Sequence, residues 1–109
     1  MALIELSPRQ FAGKAGEAAR LLKALGHEAR LMVLCQLIDG ERSAGALQEG
    51  SGLSQSALSQ HLARLREEGL VATRRDAQSI FYRLASPDAA RVLETLATIY
   101  CPPRRKTRK

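Results

Sequence analysis

Between residues 43 and 84 the hydrophobic period switches from helical to strand-like, and a small polar cap or a glycine stands at nearly every boundary. Ser43 is placed to cap a short helix containing Ala44, Leu47 and Gln48, which Gly50-Ser51-Gly52 breaks. Ser54 opens another helix that reaches Glu68, and Gly69 stops it ahead of Leu70-Val71. From there the alternation is two-fold. Val71-Ala72-Thr73-Arg74-Arg75 leads to a turn at Asp76-Ala77-Gln78. Ser79 to Leu84 then puts Ile80, Tyr82 and Leu84 on one face and Phe81 and Arg83 on the other. Helix, glycine-containing turn, capped helix and basic hairpin, in that order, make a helix-turn-helix followed by a wing.

The flanks supply the scaffold. Ser7-Pro8 is a capped helix start, and Phe11, Ala15, Ala18, Leu22 and Leu25 recur at helical spacing as far as the stop at Gly26. A second helix over about His27 to Ile38 carries Leu31, Leu34, Cys35 and Ile38 on one stripe and closes at Asp39-Gly40. Ser86-Pro87 opens a last helix with Ala89, Val92, Leu93, Leu96 and Ile99 on its apolar side, ended by Pro102-Pro103. The predicted class is mainly α with a β-hairpin wing: four helices, a hairpin and a fifth helix. Residues 1–103 form one DNA-binding and dimerisation domain, and 104–109 a basic disordered tail. At 109 residues, with 4% aromatics and no Trp, the core must be built of Leu and Ala. Such small cores are often completed by dimerisation.

Charge points to an anionic partner only weakly. The net charge is +6, but the tail from Arg104 to Lys109 holds five cations, leaving twelve against eleven carboxylates in residues 1–103. No stretch has the length of a membrane span and no leader pattern opens the chain, so a cytoplasmic protein without membrane contact is expected. The pattern along the capped helix at 54–68 says more than the total charge. Leu58, Leu62 and Leu65 share one stripe and anchor the helix, while Ser56, Gln60 and Ala63 lie opposite with Ser59 at the flank. Small and amide side chains allow close approach to a major groove, where Gln60 matches an adenine edge. Gln55 and Ser56, at the positive end of the helix, suit phosphate or base contacts. A merely solvated face would carry Glu and Lys pairs instead. His61 sits beside the leucine stripe, as a packing or phosphate-contacting residue. Arg64 and Arg66 precede a hairpin bearing Arg74, Arg75 and Arg83, a basic wing for the adjacent backbone or minor groove. The predicted DNA-contacting set is therefore Gln55, Ser56, Ser59, Gln60, His61, Arg64, Arg74 and Arg75, against a double-stranded operator.

Three stretches resemble the ArsR/SmtB superfamily of winged-helix repressors, over about residues 15–101. Leu22-Lys23-Ala24-Leu25-Gly26-His27-Glu28-Ala29-Arg30-Leu31 is similar to the approach to that family's second helix. Leu53 to Leu62 is similar to its recognition helix, and Leu65-Arg66-Glu67-Glu68-Gly69-Leu70-Val71 to its passage into the wing. Glu28, where many members have proline, and a glycine-free wing tip are departures. The resemblance implies a homodimer formed by the first and last helices. It also implies recognition of an inverted repeat and an inducer that loosens DNA binding.

Cys35 and Cys101, 66 residues apart, are the only cysteines. The third helix has no cysteine and the last no histidine, and only His27 and His61 occur elsewhere. A soft metal needs three or four convergent ligands, so metal sensing is not expected, nor is any cofactor. With no nucleophile–His–carboxylate set and no glycine-rich phosphate loop, neither is an enzyme. The positions of the two cysteines resemble the branch of the family that senses reactive sulfur. That likeness implies that the thiols of one subunit approach each other, become joined by a disulfide or polysulfide, and release DNA. Spacing alone leaves open a buried, purely structural Cys35. Other rivals are a metal or general-oxidant inducer, and a DNA binder with no inducer.

Overall fold

The computed structural model describes residues 7–101. The Pro102-Pro103 stop and the basic tail at 104–109 lie outside them. The elements run α1 (Pro8–Ala12), α2 (Ala15–Leu25), α3 (Glu28–Cys35), β1 (Arg42–Ser43), α4 (Ala44–Ser51), α5 (Gln55–Glu67), β2 (Val71–Asp76), β3 (Ser79–Leu84) and α6 (Pro87–Tyr100). The fold is a winged helix-turn-helix, and the serine caps set it locally. Ser7, Ser43, Ser54 and Ser86 each accept a backbone N–H three residues on, from Gln10, Ala46, Ala57 and Ala89 at 3.0–3.3 Å. Gly52 and Gly69, with φ of 74° and 77°, supply the left-handed turns that end α4 and release the chain into β2.

Three expectations need correction. The first helix is two: Gly13 and Lys14 interrupt it, the Gly13 N–H closing on the Gln10 carbonyl at 3.2 Å. Across that break the stripe from Phe11 to Leu25 is not a core stripe. Leu25 is buried, but Phe11 and Leu22 are 49% and 60% exposed, and α2 turns Leu21 and Ala24 inward instead. The second helix stops at Cys35, since Leu37, Ile38 and Gly40 donate three residues back and tighten the chain into turns. A two-residue strand, β1, was not anticipated. It pairs antiparallel with β3 (Arg42 opposite Tyr82), so the wing is a three-stranded sheet in the order β1-β3-β2.

The hairpin registers Val71 opposite Leu84 through Asp76 opposite Ser79, leaving a two-residue tip in which Ala77 adopts φ 60° where glycine is usual. One core joins all helices but α1. Leu34 of α3, Leu47 of α4, Leu65 of α5 and Leu93 of α6 are fully buried around Val33, each worth roughly 2 kcal/mol of burial. This cluster fixes α5 by the predicted Leu58, Leu62 and Leu65 and leaves its opposite face to solvent.

Candidate nucleic-acid interface and thiol pair

Gln55, Ser56, Ser59, Gln60 and Arg64 are all exposed on α5. Their helix begins at the Ser54 cap, and its positive end carries no acidic residue in the first turn. This is a polar, amide-bearing face held rigid from behind by three leucines, with Arg75 and Arg83 exposed on the wing beyond it. A helix so presented can enter a major groove.

Two members of the predicted set are engaged within the protein. His61 is half-buried and turned toward the start of α3. Its Nδ1 accepts from the Arg30 guanidinium at 3.4 Å, and the His27 ring meets it edge-on at 4.7 Å between centroids. Loss of solvent, then the neighbouring His27 and Arg30, hold its pKa below the ordinary value of 6.5, so the neutral form with an accepting Nδ1 is favoured. Arg74 grips Glu41 through Nε and Nη2 at 2.8 and 2.9 Å, and its guanidinium lies 4.7 Å above the Phe81 ring. The Arg74 hydrogen bond, with the charges of Arg74 and Arg83 behind it, holds the Glu41 carboxyl below its usual range. Arg74 thus ties the wing to the loop before β1, and Arg75 is the freer cation. Glu41 and Arg30 were missed by the sequence reading because each acts on a partner more than thirty residues away.

Cys35 ends α3 and Cys101 caps α6, two helices that pack together and both contribute to the common core. Both cysteines are free and exposed, so Cys35 is not the buried small hydrophobe that spacing left open. Partial withdrawal from water, then the negative charge of Cys101, push the Cys35 thiol above its ordinary value. Gln36, directly after Cys35, is a junction: its Nε2 donates to the carbonyls of Met32 (3.2 Å) and Leu47 of α4 (3.5 Å). Its own carbonyl accepts from Arg42 of β1 at 2.7 Å. Among the described residues no three His, Cys, Asp or Glu side chains gather to hold a metal ion. No described helix is long and apolar enough to cross a membrane.

Residues 27–73, from the start of α3 into β2, match the family model described as the bacterial regulatory protein, arsR family. The transcriptional activator HlyU of Vibrio cholerae is 52% identical over 85 residues, which are 78% of this chain and 79% of that protein. The crystal structure of the transcriptional repressor BigR from Xylella fastidiosa superposes with a TM-score of 0.84 at 44% identity, covering 90% of this chain and all of that one. A homodimeric winged helix-turn-helix DNA-binding domain from Mycobacterium bovis superposes with a TM-score of 0.70 at 32% identity, over 89% of each chain. The chain therefore belongs to the arsR family of bacterial regulatory proteins, and it is a winged-helix transcriptional regulator rather than an enzyme.

Proposed function

We propose that this protein is a dithiol-responsive transcriptional repressor. It binds an inverted-repeat operator as a homodimer and lets go when Cys35 and Cys101 become linked. The observation that carries the reading is that Cys35 at the end of α3 and Cys101 at the end of α6 are both free and exposed on two helices that pack together, though 66 residues apart in sequence. Dimerisation is supported by where apolar surface is left uncovered. The large exposed hydrophobics Phe11, Leu22, Met32, Ile99 and Tyr100 belong to α1, α2, α3 and α6, and none to α4, α5 or the wing. A second copy covering them would leave both α5 faces free to address successive half-sites. The homodimer named in the Mycobacterium bovis domain accords with this. Repression is the output named for BigR, activation that named for HlyU. Release from an operator serves either.

The chemistry suits an organic persulfide. Cys101, exposed at the end of α6, attacks once its proton is lost to solvent. It takes the outer sulfur of R–S–SH, leaving R–S⁻ and a Cys101 persulfide. Cys35 gives up its proton and attacks the Cys101 sulfur, and hydrosulfide departs with that proton, leaving a disulfide. If both thiols are first persulfidated, loss of one hydrosulfide leaves a polysulfide bridge. Either bond ties the end of α3 to the end of α6, beside the Gln36 junction with α4 and β1. A coupling on the order of 1–3 kcal/mol, several-fold to a hundredfold in affinity, is the expected scale.

The test measures operator affinity of reduced protein before and after an organic persulfide, with mass spectrometry of the product. Weaker binding, together with loss of the response in Cys35→Ser and Cys101→Ser, supports the reading. Unchanged affinity, or a full response from either variant, removes it. A disulfide formed as readily by peroxide, with no sulfur gained under persulfide, would make the input a general oxidant.

A further inference from the structure

Beside the recognition helix, α2, α3 and α5 enclose a cleft of about 420 Å³ whose charged lining is one-sided. Arg20 and Lys23 face it from α2, Arg30 and the capping His27 from the start of α3, and Arg64 from α5, against one carboxylate, Glu68. None of the four cations belongs to an ion pair among the described residues, where the pairs are Lys14–Glu17, Arg74 with Glu41 and Asp76, and Arg91–Asp88. That is conspicuous in a chain whose residues 1–103 are nearly neutral. The neighbouring cleft of about 760 Å³ is the contrast: Glu17, Glu67, Glu68 and Asp88 outnumber Lys14 and Arg20 there.

We propose that the basic cleft is a phosphate-binding site, and that its occupant is the DNA backbone flanking the bases read by α5. The proposal rests on the DNA-binding part of the reading above and adds a backbone contact to which α2 and α3 contribute beside Arg64 of the recognition helix. Arg30 is pre-set for it. Its Nη1 donates to the Ala24 carbonyl at 3.3 Å and its Nε to His61, so two of five N–H groups hold the fork and three remain for an anion. Arg64 fixes the location. It stands four residues beyond Gln60 on the same side of α5, about 6 Å along the axis. A phosphate reached from there belongs to a strand bordering the groove that Gln60 enters, since the major groove is only about 12 Å wide. Four unpaired cations around one concavity repel each other unless an anion sits among them.

The test replaces Arg20 and Lys23 together, Arg20→Gln with Lys23→Gln. Both are exposed and make no hydrogen bond to the core, and thermal unfolding checks that the fold is kept. A control variant removes two exposed cations outside the cleft, Arg9→Gln with Lys14→Gln. Affinity is measured for operator and for random duplex across a salt series. The expected result is that the cleft variant loses affinity for both duplexes by similar factors, and that its slope of log K against log salt flattens by about 1–2, one phosphate contact being worth about 0.9. The control should keep the wild-type slope. Equal slopes for wild type and cleft variant overturn the proposal. So does titratable binding of inorganic pyrophosphate to the free protein that the variant loses while its DNA slope stays unchanged, because the cleft then serves a free anion. Wild-type protein that binds neither duplex would instead sink the DNA-binding reading itself.

Discussion

Gly50 and Gln36 test whether the end of α3 really holds α4. A Cβ on Gly50 would overlap the Gln36 Oε1 and lie 2.6 Å from its Cδ. The obstacle is the far end of a flexible side chain, so the helix need not move, but the Gln36 amide must. Leaving its place forfeits its bonds to the Leu47 and Met32 carbonyls, about 1 kcal/mol each at most for partly exposed bonds. Against this, alanine in place of glycine inside a helix gains about 0.5–1 kcal/mol. Gly50→Ala should therefore destabilise by about 1 kcal/mol in the wild-type background. In a Gln36→Ala background the obstacle is gone and the same substitution should stabilise by about 0.5–1 kcal/mol. The coupling in this double-mutant cycle would be about 1.5–2 kcal/mol. Urea unfolding at one fixed protein concentration reads both numbers, with an unchanged m-value as the check that only stability moved. A stabilising Gly50→Ala in the wild-type background would refute the reasoning, because Gln36 would then not be anchoring α4.

Three further outcomes follow from the geometry. Removing the Cys101 charge with Cys101→Ser should lower the Cys35 pKa, though burial keeps it above its ordinary value. The pH dependence of Cys35 alkylation reads this, and an unmoved titration would mean that the sulfurs do not feel each other. Glu41→Gln breaks the bidentate grip on Arg74, leaving it only the 3.7 Å contact with Asp76, and removes a carboxylate from beside the wing. Non-specific DNA affinity should rise with a steeper salt slope, and a fall would show that Arg74 reaches DNA only when Glu41 positions it. His61 has its folded-state pKa depressed below 6.5, so its contribution to stability is full above that value and is lost as pH falls through the folded pKa. The stability difference between wild type and His61→Gln should shrink on acidification from about pH 8 to pH 5, whereas a constant difference would break the link to Arg30.

What could be read from the sequence was whatever neighbours in sequence decide. Four serine caps, the left-handed glycines 52 and 69 and the leucine triad of α5 are all set within a turn or two of chain, and each lies where periodicity put it. The break at Gly13 escaped because a helical wheel assumes continuity, and the wheel then assigned Phe11 and Leu22 to a core they do not join. Apolar spacing says that a face is to be covered without saying by what. β1 escaped because two residues have no alternation to detect. The roles of His61 and Arg74 depend on Arg30 and Glu41, at separations of 31 and 33 residues, and no local pattern carries such information. That Cys35 and Cys101 end two helices that pack on each other likewise came from the fold and not from spacing.

These long-range contacts share one element. α3 is only eight residues long, yet its first turn holds Arg30 against His61 of the recognition helix, and its last residue is Cys35. Between these ends, Val33 and Leu34 are fully buried, so the helix has little freedom to bend or slide alone. Directly past Cys35, Gln36 fastens the chain to α4 by its side chain and to β1 by its backbone. A force applied at Cys35 therefore meets α4, β1 and α5 through rigid or hydrogen-bonded contacts, without crossing a flexible loop. In such an arrangement a bond between sulfurs needs to displace α3 only slightly to change how α4 and α5 sit together. Weakening Gln36 should then diminish the response to thiol linkage while leaving the linkage itself intact. Operator release by a persulfide-treated Gln36→Ala protein as complete as in wild type would place the transmission elsewhere, in α6 and the surfaces it shares with a second copy.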